Sequence, residues 1–111
     1  MTITVERDDT IKIIAIDGQL DVAGSDAARE EILKLLDGKP TIISMAKCPY
    51  VASSGLRTLL IIAKTAKAKK IKLVYAAAIE EVIDVMQMTG FLKMLRLVPT
   101  VEDAVKELES A

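Results

Sequence analysis

The stretch "TIISMAKCPYVASSGLRTLLIIA", residues 41–63, passes from one kind of apolar spacing to another, and the change decides how the chain folds. Thr41 to Met45 is a short, nearly continuous apolar run, the pattern of a buried strand. Ala46 to Ala52, with its Cys48-Pro49 pair, reads as a loop. Beyond it Leu56, Leu59, Leu60 and Ala63 recur at i, i+3, i+4 and i+7, the stripe of a helix whose buried face they are predicted to form. Ser53-Ser54-Gly55 stands at the junction, where a serine oxygen is expected to accept a hydrogen bond from a free N–H of the first helical turn.

The same two periods alternate along the rest of the chain. Thr2 to Glu6 and Ile11 to Ile16 read as strands joined by a turn at Asp8-Asp9-Thr10. Ala28, Ile32, Leu35 and Leu36 mark a helix that Gly38 is expected to cap. Ile71 to Tyr75 is a further strand, and Ile79, Val82, Ile83 and Met86 form a third helical stripe ending at Gly90. Met94 to Val98 suits a short edge strand. Pro99-Thr100 opens a last helix, with Thr100 and Asp103 at capping-box spacing and Val101, Ala104, Val105 and Leu108 facing inward. The predicted order is β-β-α-β-α-β-α-β-α: an α/β fold with a mixed sheet of four to five strands covered by about four helices.

Composition narrows the function. A chain of 111 residues suits one domain, here residues 1–111, and 51% apolar with 28% charged residues is the balance of a globular protein. The net charge of −1 gives no basic bias toward nucleic acid, and Phe91, Tyr50 and Tyr75 are too few aromatics for a base-stacking platform. Cys48 is the only cysteine and histidine is absent, which excludes an internal disulfide, a Cys/His zinc site and any Ser-His-Asp arrangement. The expectation is no metal, no cofactor and no enzymatic activity. Lys or Arg breaks the apolar stretches before membrane-spanning length, so the chain is read as cytoplasmic, without membrane insertion. Arg57, Lys64, Lys67, Lys69 and Lys70 are read as a solvated face. Met86, Met88 and Met94 are read as core filling, and Cys48 as packing without a function.

Three stretches, "GQLD" (18–21), "YVASSGLRTLL" (50–60) and "TGFLKMLRLVPTVEDAV" (89–105), resemble in order and spacing the STAS domain of anti-sigma factor antagonists. The resemblance runs over nearly the whole chain. It implies that Ser54, directly before the glycine, is phosphorylated by an anti-sigma factor that is also a serine kinase, and that a serine phosphatase reverses the step. The unphosphorylated form would bind the anti-sigma factor and release a sigma factor to RNA polymerase. The partner surface implied comprises Asp21, Ser53, Ser54, Gly55, Arg57 and Thr58, with Thr58 otherwise expected as an exposed helix threonine one turn beyond Ser54. Two positions depart from the family pattern: Ala52 stands where Asp precedes the serines, and Ser44 where the strand often ends in Asp. An alternative reading is a STAS scaffold or small-ligand-binding subunit of a larger complex, without phosphorylation.

Overall fold

The computed structural model describes residues 1–110. Its strands are β1 (Thr2–Asp8), β2 (Lys12–Asp17), β3 (Thr41–Lys47), β4 (Leu73–Ala76) and β5 (Leu97–Val98). Its helices are α1 (Val22–Leu35), α2 (Ser53–Ala68), α3 (Glu80–Thr89) and α4 (Val101–Glu109), with one 3-10 turn at Phe91–Lys93. Their order is the one predicted. The strands lie in sequence order across one sheet, β1 antiparallel to β2 and every later pair parallel.

Side-chain alternation splits the sheet into two apolar faces. On one face Ile14, Ile43, Tyr75 and Leu97 lie side by side in register across four strands. That row packs under α1, α2 and α3 through Ala28, Ile32, Leu56, Leu59, Ile62, Val82 and Met86. The opposite face carries Ile13, Ile42, Val74 and Val98, covered by Ala104 and Leu108 of α4. Because both faces are covered, β2 and β3 are continuous apolar runs rather than alternating ones. Tyr75 is fully buried; its hydroxyl donates to the Leu59 carbonyl at 2.6 Å, and burial pushes the phenol well above its ordinary pKa.

Several local expectations change in three dimensions. α1 ends at Leu35, with Leu36 as its cap in an extended conformation, so Gly38 belongs to the turn beyond. The chain leaves the helix early because Leu36 is drawn into a small cluster with Ala66 and Ile71. The buried side of α2 is Gly55, Leu56, Thr58, Leu59, Ile62 and Ala66, whereas Leu60 and Ala63 are half-buried. The inner side is turned from the predicted stripe toward Thr58, where α2 packs against α1. Met86 is core, but Met88 and Met94 are 85% and 55% exposed. Thr100 Oγ1 accepts from the Asp103 N–H at 3.0 Å, closing the start of α4 as its spacing predicts.

At the N-terminal edge of the parallel strands Lys12 is buried, a placement that its position in an apolar run does not foretell. Its ammonium donates to the Leu35 carbonyl at 2.6 Å and to Asp37 at 2.9 Å. Lys39 bridges Asp8 at 2.5 Å and lies 3.8 Å from Asp37. The Lys12 hydrogen bond holds the Asp37 carboxyl below its ordinary value.

Candidate functional site

The opposite edge, where β2 and β3 end, brings together the "GQLD" and "YVASSGL" stretches. Leu20 and Val51 form a parallel bridge between the two loops. The Leu20 N–H donates to the Tyr50 carbonyl, and the Ala52 N–H donates back to the Leu20 carbonyl, both at 2.9 Å. Two helices therefore start side by side from one stitched pair of loops. Gly55 makes this approach possible: a Cβ there would lie 2.6 Å from the Leu20 carbonyl oxygen and 2.8 Å from Val51 Cγ1.

The first helix start is closed. Asp21 caps α1, its carboxylate accepting from the Gly24 N–H at 2.8 Å. Ser25, buried in the first turn, donates from its hydroxyl to the Asp21 carbonyl at 2.6 Å. The second start is open. Ala52 occupies the cap of α2 and no side chain of the described residues caps it, so the expected serine cap does not form. The reason is register: α2 begins at Ser53, which places both serines inside the helix instead of before it. The first intrahelical bond runs from the Leu56 N–H to the Ala52 carbonyl at 3.0 Å. No acidic residue lies in this first turn, so the 16-residue helix itself supplies no charge to offset the positive end of its dipole.

The two serines differ. Ser53 is exposed. Ser54 is half-buried, and its Oγ is shielded from solvent without a hydrogen-bond partner among the described residues. Buried hydroxyls are ordinarily paired, so this oxygen is an outlier at the point where the resemblance places the chemistry.

Arg57 is exposed on the next turn and belongs to the same surface. Thr58 does not: it is 2% exposed, and its hydroxyl reaches toward the Ser25 carbonyl at 3.4 Å. It faces inward because it falls where α2 crosses α1, so it is not the exposed threonine that was expected. Gly55 is likewise buried, and its place in the site is to admit the Leu20 loop. Ser44 is buried on β3, sharing the side of the strand that Ile42 turns toward α4, away from the helix starts. Two residues outside the sequence-based set join the surface: Val22, 72% exposed beside Asp21, and Tyr50, 51% exposed before α2. Tyr50 is the first residue of the "YVASSGLRTLL" stretch, and Val22 is the first residue of α1, directly after the Asp21 cap. Cys48 lies buried below this loop, its thiol donating to the Tyr50 carbonyl at 3.5 Å and its pKa raised by burial.

No helix among the described residues is long and apolar enough to cross a membrane. No group of three or more His, Cys, Asp or Glu side chains among them is placed to hold a metal ion.

With this geometry in place, comparison with known proteins identifies the family: residues 2–104 match the model of the STAS domain, and the chain belongs to the STAS domain family. A Bordetella bronchiseptica protein bearing the name of anti-sigma factor antagonist BtrV is 23% identical over 113 residues, covering 100% of this chain and 97% of the relative. The crystal structure of an anti-sigma factor antagonist from Mycobacterium paratuberculosis superposes with a TM-score of 0.86 at 23% identity, over 97% of this chain and 93% of that one. Part of the murine anion transporter Slc26a9 shares the fold, with a TM-score of 0.83, 17% identity and 96% of this chain covered. The chain spans only 19% of that transporter's length.

Proposed function

We propose that this STAS domain acts as an anti-sigma factor antagonist: it binds an anti-sigma factor with serine-kinase activity and frees a sigma factor for RNA polymerase. Ser54 is the phosphoacceptor that gates the binding, and a serine phosphatase resets it. The observation that carries this reading is the unpartnered Ser54 Oγ in the first turn of an uncapped helix. The named relative and the match of Asp21, Ser54 and Gly55 to the family pattern support it.

The surface offered to the partner combines Asp21, Val22, Tyr50, Ser53, Ser54 and Arg57. Tyr50 and Val22 supply exposed apolar area of the type that anchors interfaces. In this reading the chain is the kinase's substrate, and catalysis belongs to the partner. The γ-phosphoryl group of ATP passes to Ser54 Oγ, whose proton leaves to the kinase's base. Ser54 must first rotate about its Cα–Cβ bond, since its oxygen points away from solvent. Once exposed, a phosphate of about −1.5 to −2 charge meets the N–H groups and positive dipole of the α2 start, so the fold tolerates it. In a bound complex the same charge must be desolvated against the partner, and each ~1.4 kcal/mol of that cost weakens binding tenfold.

The test is incubation with ATP and the serine-kinase anti-sigma factor of the same genome, read by intact mass and site mapping, with Ser54→Ala as control. One added phosphate, lost in Ser54→Ala, is expected. Tight binding without modification would overturn the gate and leave an ungated antagonist. Neither binding nor modification would overturn the reading as a whole in favour of a scaffold or ligand-binding subunit.

A further inference from the structure

α2 carries a second surface, remote from its N-terminus. At about 100° per residue, Leu60, Ala63, Lys64 and Lys67 fall on the side of the helix opposite the buried Thr58. Together with Met94, which follows the 3-10 turn, they line an open cleft of about 210 Å³. Its floor is apolar, from Leu60, Ala63 and the 55%-exposed Met94; its rim is basic. Neither Lys64 nor Lys67 has a carboxylate within 4 Å among the described residues. The sequence of α2, from Ser53 to Ala68, contains no acidic residue, so this face is positive in a chain of net charge −1.

From this pairing of an apolar floor with an uncompensated basic rim, we infer that the cleft docks an amphipathic helix with an acidic outer face, presented by a protein partner. The volume lies below the roughly 300–1,000 Å³ typical of small-molecule pockets, whereas helix recognition requires room only for a few side chains at i, i+3 and i+7. Apolar residues of the partner helix enter between α2 and Met94, and its carboxylates meet Lys64 and Lys67. The flexible Met94 side chain in the floor lets the cleft repack around the incoming side chains. Lys64 lies ten residues beyond Ser54, about 15 Å along the helix, so this surface is separate from the phosphoacceptor and stands whether or not Ser54 is modified.

The test is an NMR titration of the full chain with a synthetic 14-residue amphipathic peptide carrying Leu on one face and Glu on the other. Expected are saturable shifts of the Leu60, Ala63 and Met94 methyl signals, weakened by added salt. The Lys64→Glu/Lys67→Glu double variant, altered only at exposed positions, should bind about tenfold more weakly while keeping its circular dichroism. Equal binding of the matching Leu/Lys peptide, or shifts centred on Tyr50 and Ser53, would overturn the proposal. So would decanoate alone saturating the cleft, which would make it a lipid site, or the same shifts on concentrating the chain without peptide, which would make it a self-association face.

Discussion

α1 and α2 leave neighbouring parallel strands and start against the same stitched loops, yet their first turns are finished in opposite ways. α1 has Asp21 as a cap and Ser25 bonded back to it. α2 has Ala52, no side-chain cap, and a serine oxygen with nothing to bond. The difference is not a general looseness of α2. Its far end is closed by a Schellman arrangement, with the Ile71 N–H donating to the Ala66 carbonyl at 2.8 Å and the Lys70 N–H to the Lys67 carbonyl at 3.0 Å. Lys70 there adopts φ +60°, a conformation that more often selects glycine. The unsatisfied groups of α2 are thus concentrated at one end, beside the proposed partner surface, where an incoming anion or partner group gains most.

The largest effect should come from the contact that holds the two starts together. Gly55→Ala drives a Cβ into the Leu20 carbonyl and is expected to cost about 1–3 kcal/mol. Urea unfolding measures it, and a loss under 0.5 kcal/mol would mean that the two loops separate easily. Next comes the capping contrast. Asp21→Ala should lose about 1 kcal/mol, whereas Ala52→Asp should gain roughly 0.5–1 kcal/mol by supplying the missing cap. If both substitutions destabilise, the α2 start is not open in the sense described. A finer probe separates the serines: Ser53→Asp places a charge at an exposed first-turn position and should stabilise by about 0.3–1 kcal/mol. Ser54→Asp should fall short of that gain, because its oxygen site is shielded; equal thermal shifts for the two variants would contradict the burial of Ser54 Oγ.

The remaining prediction concerns the opposite edge of the sheet, where polar groups are paired rather than left open. Asp37 is held below its ordinary value of 3.8 chiefly by the Lys12 hydrogen bond. A carboxyl depressed in the folded state contributes stability that is present above the unfolded value and lost as pH falls through the lower folded one. Unfolding free energy should therefore drop below pH 3.8 more steeply in the natural protein than in Asp37→Asn. Parallel acid limbs would show that the exposed carboxylate is already screened.

The order of strands and helices was legible in the sequence, because the periods of 2 and 3.6 are local properties of neighbouring residues. So were the Thr100 cap of α4, the stop of α3 at Gly90, and the "GQLD" and "SSGL" stretches that resemble a STAS domain. What the sequence left open lay between segments far apart in the chain. An apolar stripe says that a helix is buried, but only the packing of α2 on α1 turned Thr58 inward and left Leu60 and Ala63 half-buried. The serine pair pointed to a helix start, but the bridge between Leu20 and Val51 set the register that put both serines past the cap. Lys12 was hidden in an apolar run until Asp37 and the Leu35 carbonyl, more than twenty residues away, were folded against it. Local periodicity determines which elements form. Tertiary contacts decide which face of each is buried and which polar groups remain unpaired, because desolvation and pairing depend on neighbours that only the folded chain brings within reach.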